Sequence, residues 1–274
     1  MKNNKILFVS QEITPYLDEN EMSRRGRVLP QEIQERGNEI RTFMPRFGVI
    51  NERRNQLHEV IRLSGMNIII DDTDHPLIIK VASIQAARMQ VYFIENEDYF
   101  QRKHVLTDEK GKPFTDNDER AIFFARGVLE TVKKLRWSPD IVYCQGWFSA
   151  LLPLYLKRVY HDDPIFTQSK VVYSVYNDMF KGDFGDGFEE KFWLKGIEKK
   201  DMDFVKKYDW NGIMQLALHH SDAVIYGNKD IPASIRDFVH KEEKPVLEYQ
   251  EDQNFADAYA SFFKDVLKGE IHVS

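Results

Sequence analysis

The chain has 274 residues, 42% of them hydrophobic and 13% aromatic, which is enough apolar material for a substantial core and too much for a disordered chain. Its 44 acidic residues outnumber 38 basic ones, and the lysines and arginines are dispersed among the acids, so no basic field is available for a nucleic-acid backbone. The one cysteine, Cys144, excludes an internal disulfide and argues against a multi-thiolate metal site. The N-terminal apolar segment is too short for a signal peptide and nothing reaches membrane-spanning length, so a cytoplasmic protein without membrane contact is expected.

Short β-rich runs alternate with amphipathic segments, the pattern of a mostly parallel sheet covered by helices. Lys5 to Ser10 (KILFVS) is a continuous apolar run suited to a strand buried on both faces, and Glu39 to Pro45 (EIRTFMP) is a second. Between them Val28, Leu29 and Ile33 mark a helix closed by Gly37. Leu57 to Phe100 is rich in β-branched and aromatic residues broken by Ser-Gly and Asp-Asp-Thr-Asp, which predicts an antiparallel hairpin insertion. Thr115 to Leu135 opens with capping residues and puts Ala121, Ile122, Ala125, Val128, Leu129, Val132 and Leu135 on one helical face.

Pro139 to Gly146 predicts a buried strand, Phe148 to Tyr160 a helix, and Ser169 to Asn177 a further strand. Asp183 to Trp193 has the glycines of a loop before a helix, and the end of the chain predicts a strand, a helix and a closing helix over about 254–267. With no repeat or low-complexity linker, residues 1–274 are expected to form one α/β domain, Rossmann-like and doubly wound. In such sheets ligands bind beyond the carboxyl ends of the strands, which directs attention to Ser10 to Tyr16, Gln145 to Phe148 and Tyr176 to Asp178.

Trp147 offers a flat apolar face on which a sugar can stack, or a ring buried under the next helix. Tyr176 and Asn177 offer a hydroxyl and an amide to sugar hydroxyls, or anchor a loop. Asp116, Asn117 and Arg120 open a helix, where Asp and Asn serve as caps. His219 and His220 are adjacent on a helix and diverge, and no other histidine has a spaced partner, so no metal is expected. A Gly-x-Ser-x-Gly elbow and a Walker loop are both absent from the sequence.

Several stretches together resemble the N-terminal catalytic domain of bacterial glycogen synthases and plant starch synthases, retaining glucosyltransferases that use ADP-glucose. SQEITPY (10–16) is similar to that family's Ser-x-Glu-x-x-Pro-Phe/Tyr. VLPQEI, GNEI and MPRFG echo its Leu-Pro-x-x-Leu, Gly-His-x-Val and Met-Pro-x-Tyr-Gly. VYFIENEDYFQR, the Asp-Asn-x-Glu-Arg helix, PDIVYCQGW and DDPIF follow in the same order, and most of residues 5 to 180 is covered. The resemblance implies the N-terminal half of a GT-B glycosyltransferase, without the second Rossmann-like domain that carries the nucleotide site.

It also shows departures. Where the family has Lys-x-Gly-Gly-Leu, aligning Pro15 and Pro30 puts Asp18 at the lysine, with Glu19 beside it, Asn20 and Glu21 at the glycines and Met22 at the leucine. Three carboxylates here oppose a diphosphate. Gln145 and Gly146 replace a His-Asp pair, and Tyr176 replaces a histidine, whereas Glu12, Trp147 and Asn177 are retained. The resemblance therefore implies a catalytically degenerate domain with no cofactor, binding α-glucan or regulating glycogen metabolism through Glu12, Tyr16, Gln145, Trp147, Tyr176 and Asn177. Two alternatives stand beside it: a glucosyltransferase completed by a separate glycosyltransferase chain that binds the nucleotide, and a protein-interaction module without glycan contact.

Overall fold

A computed structural model describes residues 3–270. In chain order the elements are β1 (Lys5–Ser10), α1 (Glu21–Glu35), β2 (Glu39–Pro45), α2 (Glu52–Asn55), β3 (His58–Glu59), β4 (Met66–Ile70), β5 (Thr73–Ile84), β6 (Met89–Glu95), α3 (Glu97–Phe100), α4 (Asn117–Leu135), β7 (Ile141–Gln145), α5 (Leu152–Arg158), β8 (Lys170–Val175), α6 (Phe188–Phe192), α7 (Trp210–His219), β9 (Ala223–Tyr226), α8 (Ala233–Lys241), β10 (Val246–Leu247) and α9 (Phe255–Lys268). The sheet order is β10-β9-β8-β7-β1-β2-β6-β5-β3, with β4 paired to β5. Every pair from β10 through to β6 is parallel. The long β5 runs antiparallel to β3, β4 and β6, which is the predicted hairpin insertion.

β1, β7 and β8 form the centre, and their apolar runs are buried on both faces because helices cover both sides of the sheet. The chain leaves β1 towards β2 on one side and reaches β7 on the other. The order of the sheet thus reverses between β1 and β7, where the loops after the two strands diverge and open a crevice.

α1 begins at Glu21, seven residues before the apolar pattern predicts. Its start is set by a reciprocal cap: the Asn20 side chain accepts from the Ser23 N–H at 2.8 Å, and the Ser23 hydroxyl accepts from the Asn20 N–H at 2.9 Å. α4 buries the predicted face apart from half-buried Leu135, and it buries Phe123 and Phe124 as well, Phe123 against His75, Tyr99 and Phe100 and Phe124 against Phe148. α9 lies within a residue of its predicted span and closes against α1, where the Arg25 Nη1 donates to the Tyr259 hydroxyl at 3.1 Å. Lys191 of α6 reaches Asp118 and Glu119 of α4 at 2.8 Å each.

Candidate functional site

Two adjoining depressions lie at the carboxyl end of the sheet, one between the loops after β1, β8 and β9 and the other between the loop after β1, Val49 after β2 and residues 103–107 after α3. The smaller cleft, about 300 Å³, is lined by Glu12, Asn20, Glu21, Met22, Tyr176, Asn177, Asp178 and Asn228. The larger groove, about 540 Å³, lies on the other side of Glu12 and Asn20, which line both; Tyr16, Leu17, Asp18, Val49, Lys103, His104, Val105, Leu106 and Thr107 complete it. Glu12 and Asn20 form the ridge between them, with the Asn20 amide donating to Glu12 Oε2 at 2.5 Å.

The smaller cleft contains three carboxylates and three primary amides, and neither a lysine nor an arginine is among its lining residues. The polar groups are already engaged with one another. Glu21 accepts from the Asn228 amide at 2.5 Å and meets the Arg25 guanidinium at 2.9 Å. Arg25 is fully buried; it also donates to the Gln250 carbonyl at 2.6 Å and lies 5.0 Å from the ring centroids of both Tyr249 and Phe255. A guanidinium held by a carboxylate, a carbonyl, a phenol and two aromatic faces has no free donor fork for a ligand phosphate. The first turn of α1 is likewise closed by its own cap, which uses the Ser23 N–H that an anion would seek.

Asp178 holds the floor together. Its carboxylate is turned inward, accepting from the Trp147 N–H at 2.8 Å and the Trp210 indole N–H at 3.0 Å. Burial pushes its pKa up to about 6, against the pull of those two donors and with a further push from Glu12. His220, buried at the C-terminal end of α7, moves the other way: burial takes its pKa down to about 4, although its ring bonds the Asp201 carbonyl at 3.0 Å.

The signs of these two groups follow from linkage. The stabilisation due to neutral Asp178 is complete below the unfolded carboxylate pKa and is lost as pH rises through about 6. That due to neutral His220 is complete above the unfolded histidine pKa and is lost as pH falls towards about 4. Urea unfolding at pH 7 and pH 5 should therefore show His220→Gln sparing about 2 kcal/mol of the acid destabilisation seen in the wild type. Asp178→Asn should make that acid slope steeper, and equal slopes in all three proteins would contradict both assignments.

The structure separates the sequence candidates. Glu12 and Asn177 lie at the surface of the cleft, and Tyr16, itself mostly buried, forms part of the groove floor. Gln145, Trp147 and Tyr176 are each essentially unexposed, although Tyr176 lines the smaller cleft. Gln145 donates to the Met22 carbonyl at 3.1 Å and accepts from the Tyr143 hydroxyl at 3.3 Å, clamping the first turn of α1. The Trp147 ring is covered by Phe180 and Phe184, at centroid distances of 4.7 and 5.9 Å, rather than by the next helix. The Tyr176 ring packs against Gly227, where an added Cβ would come within 2.6 Å of it.

In the acidic loop, Asp18 and Glu19 are exposed, Asn20 is the helix cap, and Glu21 and Met22 are already helical. Asn228 and the segment Lys103–Thr107 were not singled out from sequence. Asn228 follows a buried apolar run, so the strand-end rule alone could have found it. The segment 103–107 carries no such mark and is brought in by its anchors. The Asn117 amide donates to the Leu106 carbonyl and Arg120 to the Val105 carbonyl, each at 2.8 Å. Asp116 makes no capping bond and pairs with Arg102 instead. Among the described residues no group of three or more His, Cys, Asp or Glu side chains could hold a metal ion, and no helix is long and apolar enough to cross a membrane.

Comparison with known proteins agrees with this architecture. Residues 5–236 match the family model for the starch synthase catalytic domain. A glycogen synthase of Chlorobium limicola is 40% identical over 177 residues, which is 64% of this chain and 36% of that protein. One from Chlorobaculum parvum is 32% identical over 207 residues, 75% of this chain and 42% of that protein. The chain thus matches well under half the length of these relatives. Among solved structures, the catalytic domain of starch synthase IV from Arabidopsis thaliana, bound to ADP and acarbose, superimposes with a TM-score of 0.73 at 13% identity, covering 91% of this chain and 52% of that one. With the family model spanning most of its length, and with the same strand–helix frame and motifs in the same order, the chain belongs to the starch synthase catalytic domain family.

Proposed function

We propose that this domain recognises α-glucan in the larger groove and does not itself hold a nucleotide sugar. The observation that carries the reading is the fate of Glu21: its carboxylate takes up the Arg25 guanidinium and the Asn228 amide, so an internal anion occupies the donors beside the smaller cleft. A diphosphate entering there would meet Glu12, Glu21 and Asp178 with no lining cation to offset them. Like charges at such distances repel by several kcal/mol at roughly the intermediate dielectric of a cleft.

The larger groove suits an uncharged polyhydroxy ligand. Lys103, His104 and Thr107 supply donors, Glu12 and Asp18 supply acceptors, and Tyr16, Leu17, Val49, Val105 and Leu106 supply an apolar floor. Glucose transfer completed by a separate nucleotide-binding chain is less well supported, because the smaller cleft offers no lining cation to the leaving diphosphate. A flat protein-docking face is also less well supported: the large exposed apolar side chains Val49, Ile61, Ile69, Met179 and Trp193 stand on five separate segments.

Calorimetric titration tests the reading. Maltoheptaose is expected to bind saturably and ADP-glucose to give no saturable heat. His104→Ala and Thr107→Ala, each removing one sugar-facing donor, should weaken maltoheptaose roughly three- to tenfold. Saturable ADP-glucose binding would overturn the electrostatic argument, and silence from maltoheptaose would remove the glucan.

A further inference from the structure

A third concavity lies at the opposite end of the sheet from the clefts, around the start of β2, the end of β5 and the start of β6. It is about 520 Å³ in volume. Its character is the reverse of the smaller cleft: two guanidiniums, Arg41 and Arg88, three primary amides, Gln34, Gln85 and Gln90, and the Ser83 hydroxyl line it, and no carboxylate is among its lining residues. In a chain of net charge −6, a wall of donors free of acids is unusual.

The register explains how these groups come together. Ser83 pairs with Gln90 across β5 and β6, and Val81 and Phe43 both pair with Tyr92, so Ser83 and Gln90 share a face with Tyr92 and Phe43. Arg41, two residues before Phe43, extends that row on β2. Tyr92 stacks on Phe43 at 5.0 Å and 19° between planes, giving the row a rigid base. Arg88 has φ +49 after the turn Gln85–Ala87, and its carbonyl accepts from the Gln34 amide at 3.1 Å, which ties the turn to the end of α1.

The arginines differ in their freedom. Arg41 stands 3.5 Å from Glu39 and 5.3 Å from the Trp137 ring centroid, so its guanidinium is pre-oriented and part-neutralised. Arg88 is exposed and makes no side-chain hydrogen bond or ion pair among the described residues. One guanidinium held in place and one free to close, with amide and hydroxyl donors between them, is a donor set for a tetrahedral oxyanion. We propose that this concavity binds a phosphoryl group, free or carried on a small ester, independently of the glucan groove.

The test uses the purified chain, titrated in separate experiments with inorganic phosphate, pyrophosphate and a hexose monophosphate, with sodium chloride held at two concentrations. At least one of the three should bind saturably, weaken at the higher salt, and weaken tenfold or more in Arg88→Glu and in Ser83→Asp. Both positions are exposed, so these variants keep the fold; Arg54→Gln, on exposed α2, should bind as the wild type. Preference for inorganic phosphate or pyrophosphate would identify a free oxyanion as the ligand, and preference for the hexose monophosphate would identify an ester. No saturable binding by any of the three, or binding unchanged by both charge-introducing variants, would overturn the proposal. So would maltoheptaose binding that is lost in Arg88→Glu while phosphates remain silent, since that would make the site a glycan surface.

Discussion

Arg120→Met is expected to destabilise the protein by about 2–4 kcal/mol and to abolish glucan binding in the larger groove. Arg120 is completely buried with no carboxylate against it. Its guanidinium donates to the Asn117 side-chain oxygen at 2.6 Å and to the Val105 carbonyl at 2.8 Å. The rings of Phe47, Phe100, Phe114 and Phe148 surround it at 5.3–5.7 Å. Burial takes its pKa down to about 9, with Arg102 lowering it further and Asp116 opposing, so the group is still charged at neutral pH.

Methionine fills most of the aromatic cage but leaves one buried and one part-buried acceptor without donors, the second being the Val105 carbonyl that fixes the groove-lining segment. Arg120→Lys keeps the charge and loses the planar stacking and the forked donor geometry, so it should fall between methionine and the wild type. Urea unfolding of the three proteins, together with maltoheptaose titration, checks the expectation. A methionine variant as stable as the wild type would show that the cage, and not the two hydrogen bonds, holds the loop.

The fold could be read from the sequence wherever a segment's burial is decided by its own composition. β1, β2, β7 and β8 are continuous apolar runs because both faces of a parallel sheet are covered; β1 and β2 match the predicted bounds, and β7 and β8 fall within two residues of theirs. The start of α1 could not be read that way. Arg24, Arg25, Gly26 and Arg27 look like a polar loop, and Arg25 becomes a core residue only through Gln250, Tyr249, Phe255 and Tyr259, more than 220 positions away.

The aromatic residues at the strand ends show the same limit. Trp147 lies beyond the carboxyl end of a strand, as the strand-end rule requires, yet its face is taken by Phe180 and Phe184, whose spacing carries no signal that they fold back over it. The acidic loop was legible in charge and not in role. That Asp18 and Glu19 stay in solvent while Glu21 turns inward depends on Asn228, which belongs to the strand end after β9.

Gly146→Asp, which restores the residue that the glycogen synthase motif carries at this position, is expected to unfold the protein or to destabilise it by roughly 4 kcal/mol or more. Gly146 has φ +82 and ψ 149, a region that only glycine enters without strain. A Cβ there would stand 2.7 Å from Gln11 Cβ, 2.8 Å from Gln11 Oε1 and 3.0 Å from Met22 Sδ. Gln11 cannot step aside cheaply, because its Oε1 accepts from the Phe148 N–H at 3.0 Å and is buried with it. Gly146→Ala isolates the backbone and steric part, and the further loss in Gly146→Asp measures the cost of a carboxylate placed among Gln11, Met22 and the Tyr173 hydroxyl, which donates to the Gly146 carbonyl at 2.8 Å. Thermal unfolding of the two variants gives both numbers. If Gly146→Asp folds with wild-type stability, the loop after β7 can flip its backbone and the site can be restored one residue at a time. If it fails as expected, the loop after β7 is held in its present backbone by Gly146 and by the side chains of Gln11 and Met22 packed against it.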